Sequence, residues 1–426
     1  MHRTIEPASR LRGVLKVPGD KSISHRALIL GAIARGRHVI DGLSPAEDVR
    51  CTAQALRDMG CLIETMPDGR TLVLSHGIVE EATVDAGNSG TTARLLAGLA
   101  AGMDATFTID GDDSLRRRPM ERVAEPLAAM GAAITTAEGG TLPITIKGGG
   151  LKGIRYELTV ASAQVKSAIL IAGLFAKGDT TVVEPVRTRD HTELMLRAMG
   201  MEVRTHDREV TVTGGTRLRG GHISVPGDCS SAAYLAAAAA CLPDSEVYMP
   251  VTGVNPTRTG FLEILKEMGA EISIESVHEM SGERVADVIV RTAPNGLQAV
   301  ALDDPATVVA CIDELPILAV AASQAHGETT VRGAAELRVK ESDRIAAIVK
   351  NLSAMGADIN ELEDGFQVRG PSRLRGAPVS PMGDHRIAMA MTIAGLLAED
   401  NTTIDDASVV EISYPSFFAD LSTLLR

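Results

Sequence analysis

Aromatic residues are nearly missing from this 426-residue chain, which holds only 2% of them and no tryptophan. Yet 45% of its residues are hydrophobic, enough for a large globular core and two or three domains. That core must be built from Ala, Leu, Ile, Val and Met. Cysteine is sparse as well. Cys51, Cys61, Cys229, Cys241 and Cys311 are scattered and form no C-x-x-C pair, which fits reduced thiols in a cytoplasmic protein. The chain has no H-E-x-x-H, no metal-type Cys/His spacing and no G-x-S-x-G. The commonest zinc and serine hydrolase designs are thereby excluded, and no metal is expected. Long apolar runs are absent: residues 1–12 hold no signal-peptide core, and the Ala-rich stretch 235–242 is too short for a bilayer. An excess of basic residues is absent too. Against 55 Asp and Glu stand 42 Lys and Arg, a net charge of −13, which argues against nucleic acid as partner. A small anion, needing only a local cationic pocket, remains open.

What the chain does contain is repetition. Leu-x-x-Met-Gly followed by an apolar strand occurs at 56–60, 127–131, 196–200, 265–269 and 352–356. A truncated copy fits 421–425. Met packs the last helical turn and Gly takes a left-handed cap before a strand. A second signature alternates with it: an apolar helix, a turn and a short β-branched strand, at 33–39, 99–109, 174–183, 238–247, 319–331 and 393–404. Six βαβα-type repeats therefore cover the chain and must pack around a shared axis. Val225-Pro226-Gly227-Asp228 echoes Val17-Pro18-Gly19-Asp20, dividing the chain into halves of three repeats. The strand before residue 17 is expected to belong with the second half. Helices this rich in Ala, Leu and Ile should be buried, leaving the sheets half-exposed, as in the alternation Thr106-Phe107-Thr108-Ile109.

Most of the candidate chemistry lies at predicted helix starts. Pro18 to Arg26 stands between a predicted strand (Val14, Leu15, Val17) and a helix running to Ala34, with Asp20 or Ser22 as cap. Lys21, Ser22 and Arg26 leave one turn together, an anion site with the free helix N–H groups. A solvated helix start explains this stretch about as well when taken alone. Gly87-Asn88-Ser89-Gly90-Thr91-Thr92-Ala93-Arg94 is a second anion loop or a plain glycine-rich cap, with a helix from Thr91. In Arg116-Arg117-Arg118-Pro119, ahead of a Pro-started helix, Arg118 is the arginine best held. Ser162-Ala163-Gln164 opens an apolar helix, and Lys166 sits at its positive end, where a cation is unfavourable. Pairing with an acid elsewhere would account for Lys166. Arg189 again precedes a helix, and the adjacent His191 reads as a packed or capping residue. Asp313-Glu314-Leu315-Pro316 lies in an apolar stretch, where general base and helix cap are both open. Lys340 and Arg344, four apart, are expected on one helical face beside Glu341. Gly383-Asp384-His385-Arg386 precedes the last Ala/Met-rich helix. Separated cationic helix starts with two carboxylates suggest joining two anionic small molecules.

The motifs PGDKSISHR, GNSGTT, RRRPM, LPITIKG, SAQVKSA, RVKESDR and GDHR, in this order from about Arg10 to Leu424, resemble the 5-enolpyruvylshikimate-3-phosphate (EPSP) synthase family in its divergent bacterial branch. The resemblance implies a two-domain inside-out α/β barrel of six βαβαββ repeats, three per domain. Residues 1–16 with 228–426 would form one domain and 17–227 the other, with the active site in the interdomain cleft. It implies enolpyruvyl transfer from phosphoenolpyruvate to the 5-hydroxyl of shikimate 3-phosphate, on the route to chorismate, by a cytoplasmic monomer without cofactor. By the same resemblance, Lys21, Ser22, Arg26, Ser162, Ala163, Gln164, Arg189, Asp313 and Lys340 bind shikimate 3-phosphate. Lys21, Gly90, Arg118, Gln164, Arg344 and Arg386 bind phosphoenolpyruvate. Asp313 is then the base, Glu341 the acid, and Lys21 a stabiliser of charge.

The chain departs from the commonest family pattern at Ala163, at Thr188-Arg189-Asp190-His191, at Glu336, and at Ile412, which stands about where many members carry a Lys. Glyphosate enters as an inhibitor, with Gly90 the residue found in sensitive members. UDP-N-acetylglucosamine enolpyruvyl transferase shares the implied fold and chemistry. It normally has Lys-Asn where Lys21-Ser22 stands, and a reactive Cys in a loop that has none here at residues 103–118. A non-catalytic anion-binding repeat protein would gain nothing from Asp313 and Glu341.

Overall fold

Each of the five full Leu-x-x-Met-Gly signatures ends a helix. Glu47–Asp58, Glu121–Ala129, His191–Ala198, Gly260–Glu267 and Arg344–Ala354 stop at the methionine, and the glycine that follows has φ between 86° and 115°. Alanine there would be strained, because L side chains disfavour that region. The five methionines are buried, and a strand starts within three residues of each glycine. Among the described residues, six longer helices carry no exposed face. Cys229–Cys241 is buried up to residue 240 and His385–Leu396 throughout. Such helices are stable only when surrounded by protein.

The computed structural model describes residues 2–75, 77 and 79–425. They divide into two compact units, the first of residues 2–18, 226–278 and 284–425, the second of Gly19–Val225 with Glu279–Glu283. In the first unit, helices Cys229–Cys241, Leu315–Ser323 and His385–Leu396 pack on one another. In the second, Gly90–Gly102 packs on both Lys21–Ile33 and Ala163–Gly173. Among the described residues no helix is long and apolar enough to cross a membrane.

Among the described residues, six sheets accompany these six helices. In the four-stranded sheets a parallel pair is extended by an antiparallel hairpin, as in Glu81–Asp85, Thr106–Asp110, Thr141–Lys147 and Ala133–Ala137. Burial alternates along Thr106–Asp110, with Phe107 and Ile109 inward. This is the inside-out α/β arrangement of βαβαββ repeats. The sixth repeat is cut short: among the described residues, Pro378–Val379 and Thr402–Ile404 are joined by one further strand, Arg3–Ile5, with Arg3 opposite Ile404. Two repeats borrow their first strand from a distance. His222–Ser224 pairs with His38–Asp41, and Arg12–Val14 pairs with Glu246–Gly253. The predicted strand at 14–17 thus lies slightly earlier in the chain.

Candidate active site

In the second unit, Asp20 caps the helix Lys21–Ile33, its Oδ1 accepting from the Ile23 N–H at 2.9 Å. The Lys21 ammonium donates to Asp48 Oδ2 at 2.7 Å. Arg26, one turn on, is 2% exposed. Its Nη1 donates to the Ser22 carbonyl at 2.8 Å, its Nε to Thr192 Oγ1 and its Nη2 to Ser167 Oγ, both at 2.7 Å. Burial lowers its pKa to about 10, with Glu193 opposing the shift and Arg189 adding to it. It remains cationic at neutral pH.

Ser89, not a later residue, caps the next helix, which starts at Gly90. Arg118 grips the loop before it, with Nη1 on the Asn88 carbonyl at 3.1 Å and Nη2 on Asn88 Oδ1 at 2.7 Å. The helix behind the RRRPM run starts at Glu121 with Met120 at its cap, so Pro119 precedes rather than opens it. Ser162 Oγ caps Ala163–Gly173, accepting from the Val165 N–H at 3.3 Å. Gln164 joins two of these helix starts: its Oε1 accepts from Arg94 at 2.7 Å and its Nε2 donates to Thr91 at 2.9 Å. Arg94 closes the anion-loop stretch read from the sequence, which gave it no role of its own. Arg189 stands two residues before His191–Ala198, and His191 is buried with Nδ1 2.8 Å from Glu283.

The first unit gathers the carboxylates. Asp313 does not cap a helix. The helix beside it starts at Leu315, with Glu314 at the cap position and no side-chain cap bond. Instead Asp313 Oδ1 accepts from Arg344 Nη1 at 3.2 Å, and its Oδ2 lies 3.4 Å from Arg386 Nη2. Arg344, 1% exposed, also donates Nε to Asp384 at 2.7 Å and Nη2 to Glu341. Its burial disfavours the charge, but Asp384 and Glu341 outweigh that and push its pKa up. Arg386 donates to the Asp313 carbonyl at 3.0 Å. Its pKa is raised in the same way, with Asp313 the strongest influence against burial.

Lys340 and Arg344 do not share a helical face. Lys340 closes a short 3-10 turn, Ala335–Val339, in extended backbone, and Arg344 opens a new helix. Asp343 separates them because its side chain caps that helix, accepting from Ala346 N–H at 3.0 Å. Burial lowers the Lys340 pKa, against the pull of Asp313. Ile412 ends the 3-10 turn Ala407–Ile412. A further network ties Glu314 and Arg386 to Arg258 and Ser230, which the sequence did not single out. Arg258 donates to Ser230, Ser230 donates to Glu314, and Arg386 reaches Glu314 at 3.5 Å. Its members lie 84 and 72 residues from Glu314 in the last two bonds, so local patterning does not reveal them. Among the described residues no group of three His, Cys, Asp or Glu is placed to hold a metal.

The fold of buried helices and half-exposed sheets that carries these two clusters is the one found in solved enolpyruvyl transferases. The enolpyruvyl transferase NikO from Streptomyces tendae has the same fold over 99% of this chain and 96% of its own, with a TM-score of 0.80 at 16% identity. A family model described as EPSP synthase (3-phosphoshikimate 1-carboxyvinyltransferase) matches residues 5–421. The chain belongs to the EPSP synthase family. It is 49% identical to 3-phosphoshikimate 1-carboxyvinyltransferase of Synechococcus sp. (strain JA-3-3Ab), over 99% of this chain and 96% of the relative. With the enzyme of the same name from Desulforudis audaxviator it shares 50%, over 99% and 98%. An EPSP synthase from Acinetobacter baumannii superposes with a TM-score of 0.86 at 42% identity, covering 99% of this chain and 98% of that one.

Proposed function

We propose that the two clusters divide the labour of the family's reaction, transfer of the enolpyruvyl group of phosphoenolpyruvate to the 5-hydroxyl of shikimate 3-phosphate. The second unit holds the phosphate ester through Lys21, Ser22, Arg26, Ser162 and Arg189, with Ala163 and Gln164 along the ring. Gly90, Arg118, Arg344 and Arg386 hold phosphoenolpyruvate, with Lys21 and Gln164 touching both ligands. Asp313 and Lys340 also meet the shikimate ring.

The carboxylate of Asp313 takes the proton of the 5-hydroxyl, and the oxygen attacks C2 of phosphoenolpyruvate. Glu341 delivers a proton to the methylene carbon, giving a tetrahedral intermediate with a methyl group. Phosphate then leaves as a proton is withdrawn from that methyl, restoring the carbon–carbon double bond. Acid and base exchange roles in this second half. Lys21 and Lys340 stabilise the developing charge. No metal or organic cofactor enters these steps.

One observation carries the reading: Asp313 stands at a helix start that it does not cap, between two buried guanidiniums at 3.2 and 3.4 Å. Such neighbours favour the ionised form, as a base requires. They also carry the planar fork that binds carboxylate and phosphate. We propose further that the protein works as a cytoplasmic monomer and that glyphosate competes for the phosphoenolpyruvate position. The test is inorganic phosphate release from purified protein, with each substrate omitted in turn and with glyphosate added. Release that requires both substrates supports the reading. Release with UDP-N-acetylglucosamine as acceptor instead would overturn it.

A further inference from the structure

Lys166 takes no part in the chemistry proposed above. It is 1% exposed in the first turn of Ala163–Gly173, where the helix dipole disfavours a cation. Two buried carboxylates surround its Nζ, Glu193 at 2.7 Å and Glu184 at 3.1 Å. The same Nζ lies 3.4 Å from the Thr188 carbonyl. Glu184 Oε1 in turn accepts from the Thr188 N–H at 3.0 Å and from the Thr188 hydroxyl. One ion triad thus grips the turn that leads into Arg189.

The neighbouring positions on the same two helices grip Arg26. Ser167 follows Lys166 and Thr192 precedes Glu193, and both hydroxyls accept from the Arg26 guanidinium at 2.7 Å. The two hydroxyls bond each other at 2.8 Å. Each helix therefore contributes one residue to the ion triad and the adjacent one to the Arg26 clamp. Glu193 is the strongest charge that offsets the burial of Arg26, while Arg189 repels it. Stability alone gives little reason for such a triad, since buried ion pairs are often no better than apolar packing.

We infer that Lys166, Glu184 and Glu193 are positioning residues for the phosphate subsite, fixing the Thr188-Arg189 turn and, through Ser167 and Thr192, the guanidinium of Arg26, so that both arginines serve one phosphate monoester. This rests on the assignment of Arg26 and Arg189 to that ester. The test is steady-state kinetics of Lys166→Met/Glu193→Gln, which removes one charge of each sign, with each substrate varied at saturation of the other. The KM for shikimate 3-phosphate rises about tenfold, while kcat and the KM for phosphoenolpyruvate stay within about twofold. Thr188→Val, which deletes a single hydroxyl, gives a rise of about threefold in the same constant, and decides the matter if the double variant does not fold. Arg26→Ala and Arg189→Ala are run beside them. If both arginine variants raise the shikimate 3-phosphate KM but the folded triad variants leave it unchanged, the triad only holds the fold and the inference is overturned. If the arginine variants leave it unchanged too, the phosphate assignment has failed and the inference falls with it.

Discussion

Gly90→Ala separates the fold from the ligand site within one methyl group. Gly90 is the first residue of its helix and its φ is not positive, so the backbone accepts alanine. The added Cβ would stand 2.7 Å from Arg94 Nη1, 3.4 Å from Arg118 Nη1 and 3.7 Å from Arg94 Cζ. All three are far ends of flexible side chains, which move at little cost to the core. Arg94 must retreat, and it now bonds Gln164 at 2.7 Å and the Pro119 carbonyl at 3.2 Å. Lengthening one charged hydrogen bond costs about 1.5–3 kcal/mol, and replacing Gly in a helix returns up to about 1 kcal/mol. Net stability should fall by no more than about 3 kcal/mol, a few degrees in Tm for a chain of this size. Arg118, within 3.4 Å of the new methyl, and Gln164, the partner that Arg94 would disturb, are assigned to phosphoenolpyruvate, where about 1.4 kcal/mol is tenfold. Kinetics with each substrate varied should show the phosphoenolpyruvate KM up about tenfold, the shikimate 3-phosphate KM within about threefold, and glyphosate inhibition weakened in step. An equal rise in both constants, or none in that for phosphoenolpyruvate, refutes the assignment of this helix start.

Asp313→Asn and Glu341→Gln should each lower kcat by about 10²–10⁴, the usual worth of a general acid or base; a loss below about tenfold in single-turnover assays would remove the residue from that role. Arg26→Ala should weaken shikimate 3-phosphate binding and Arg118→Ala phosphoenolpyruvate binding, each by about tenfold or more; isothermal titration of the two ligands against both variants reads the split, and a uniform loss contradicts it. His38 is fully buried, and burial, aided by nearby His222, lowers its pKa to about 4. The unfolded chain, with a pKa near 6.5, binds the proton first, so stability is complete above about pH 6.5 and declines as pH falls toward 4. Between about pH 6.5 and pH 5 the decline is ~2 kcal/mol. His38→Leu should remove that part of the difference between urea unfolding at about pH 7 and about pH 5, and an unchanged difference would mean that His38 does not titrate in this way.

The periodic features were legible because single residues enforce them. A glycine at positive φ after a buried methionine marks five helix ends, and Asp20 and Ser162 cap helices where short polar residues precede apolar runs. Lys166 was legible as an anomaly, a cation at the wrong helix end, and two distant acids account for it. What spacing misjudged was Lys340 with Arg344. Counting four residues assumed one continuous helix, and the Asp343 cap starts a new one between them. What spacing does not contain is partnership at long range. Nothing near Arg344 in the sequence marks Asp384 or Asp313 as its acceptors, 40 and 31 residues away. Glu314 likewise looked like a helix start, while its carboxylate serves Ser230 and Arg386.

The strand Arg3–Ile5 pairs with Thr402–Ile404, and Arg12–Val14 with Glu246–Gly253. During synthesis these first residues emerge with their backbone groups unpaired and must wait for partners made much later. At about 5–20 residues per second, the roughly 400 residues between Arg3 and Ile404 take about 20–80 s to appear. The bulk of the second unit, Gly19–Val225, meets little such delay, because its borrowed strand His222–Ser224 emerges at the end of that stretch and Glu279–Glu283 alone follows later. It is therefore able to fold on the ribosome while the opening strands still lack their sheets. For that interval the nascent chain displays two short strands with free edges. Arg3 and Arg12 place positive charge on them, which discourages the same segment on neighbouring ribosomes from pairing with itself.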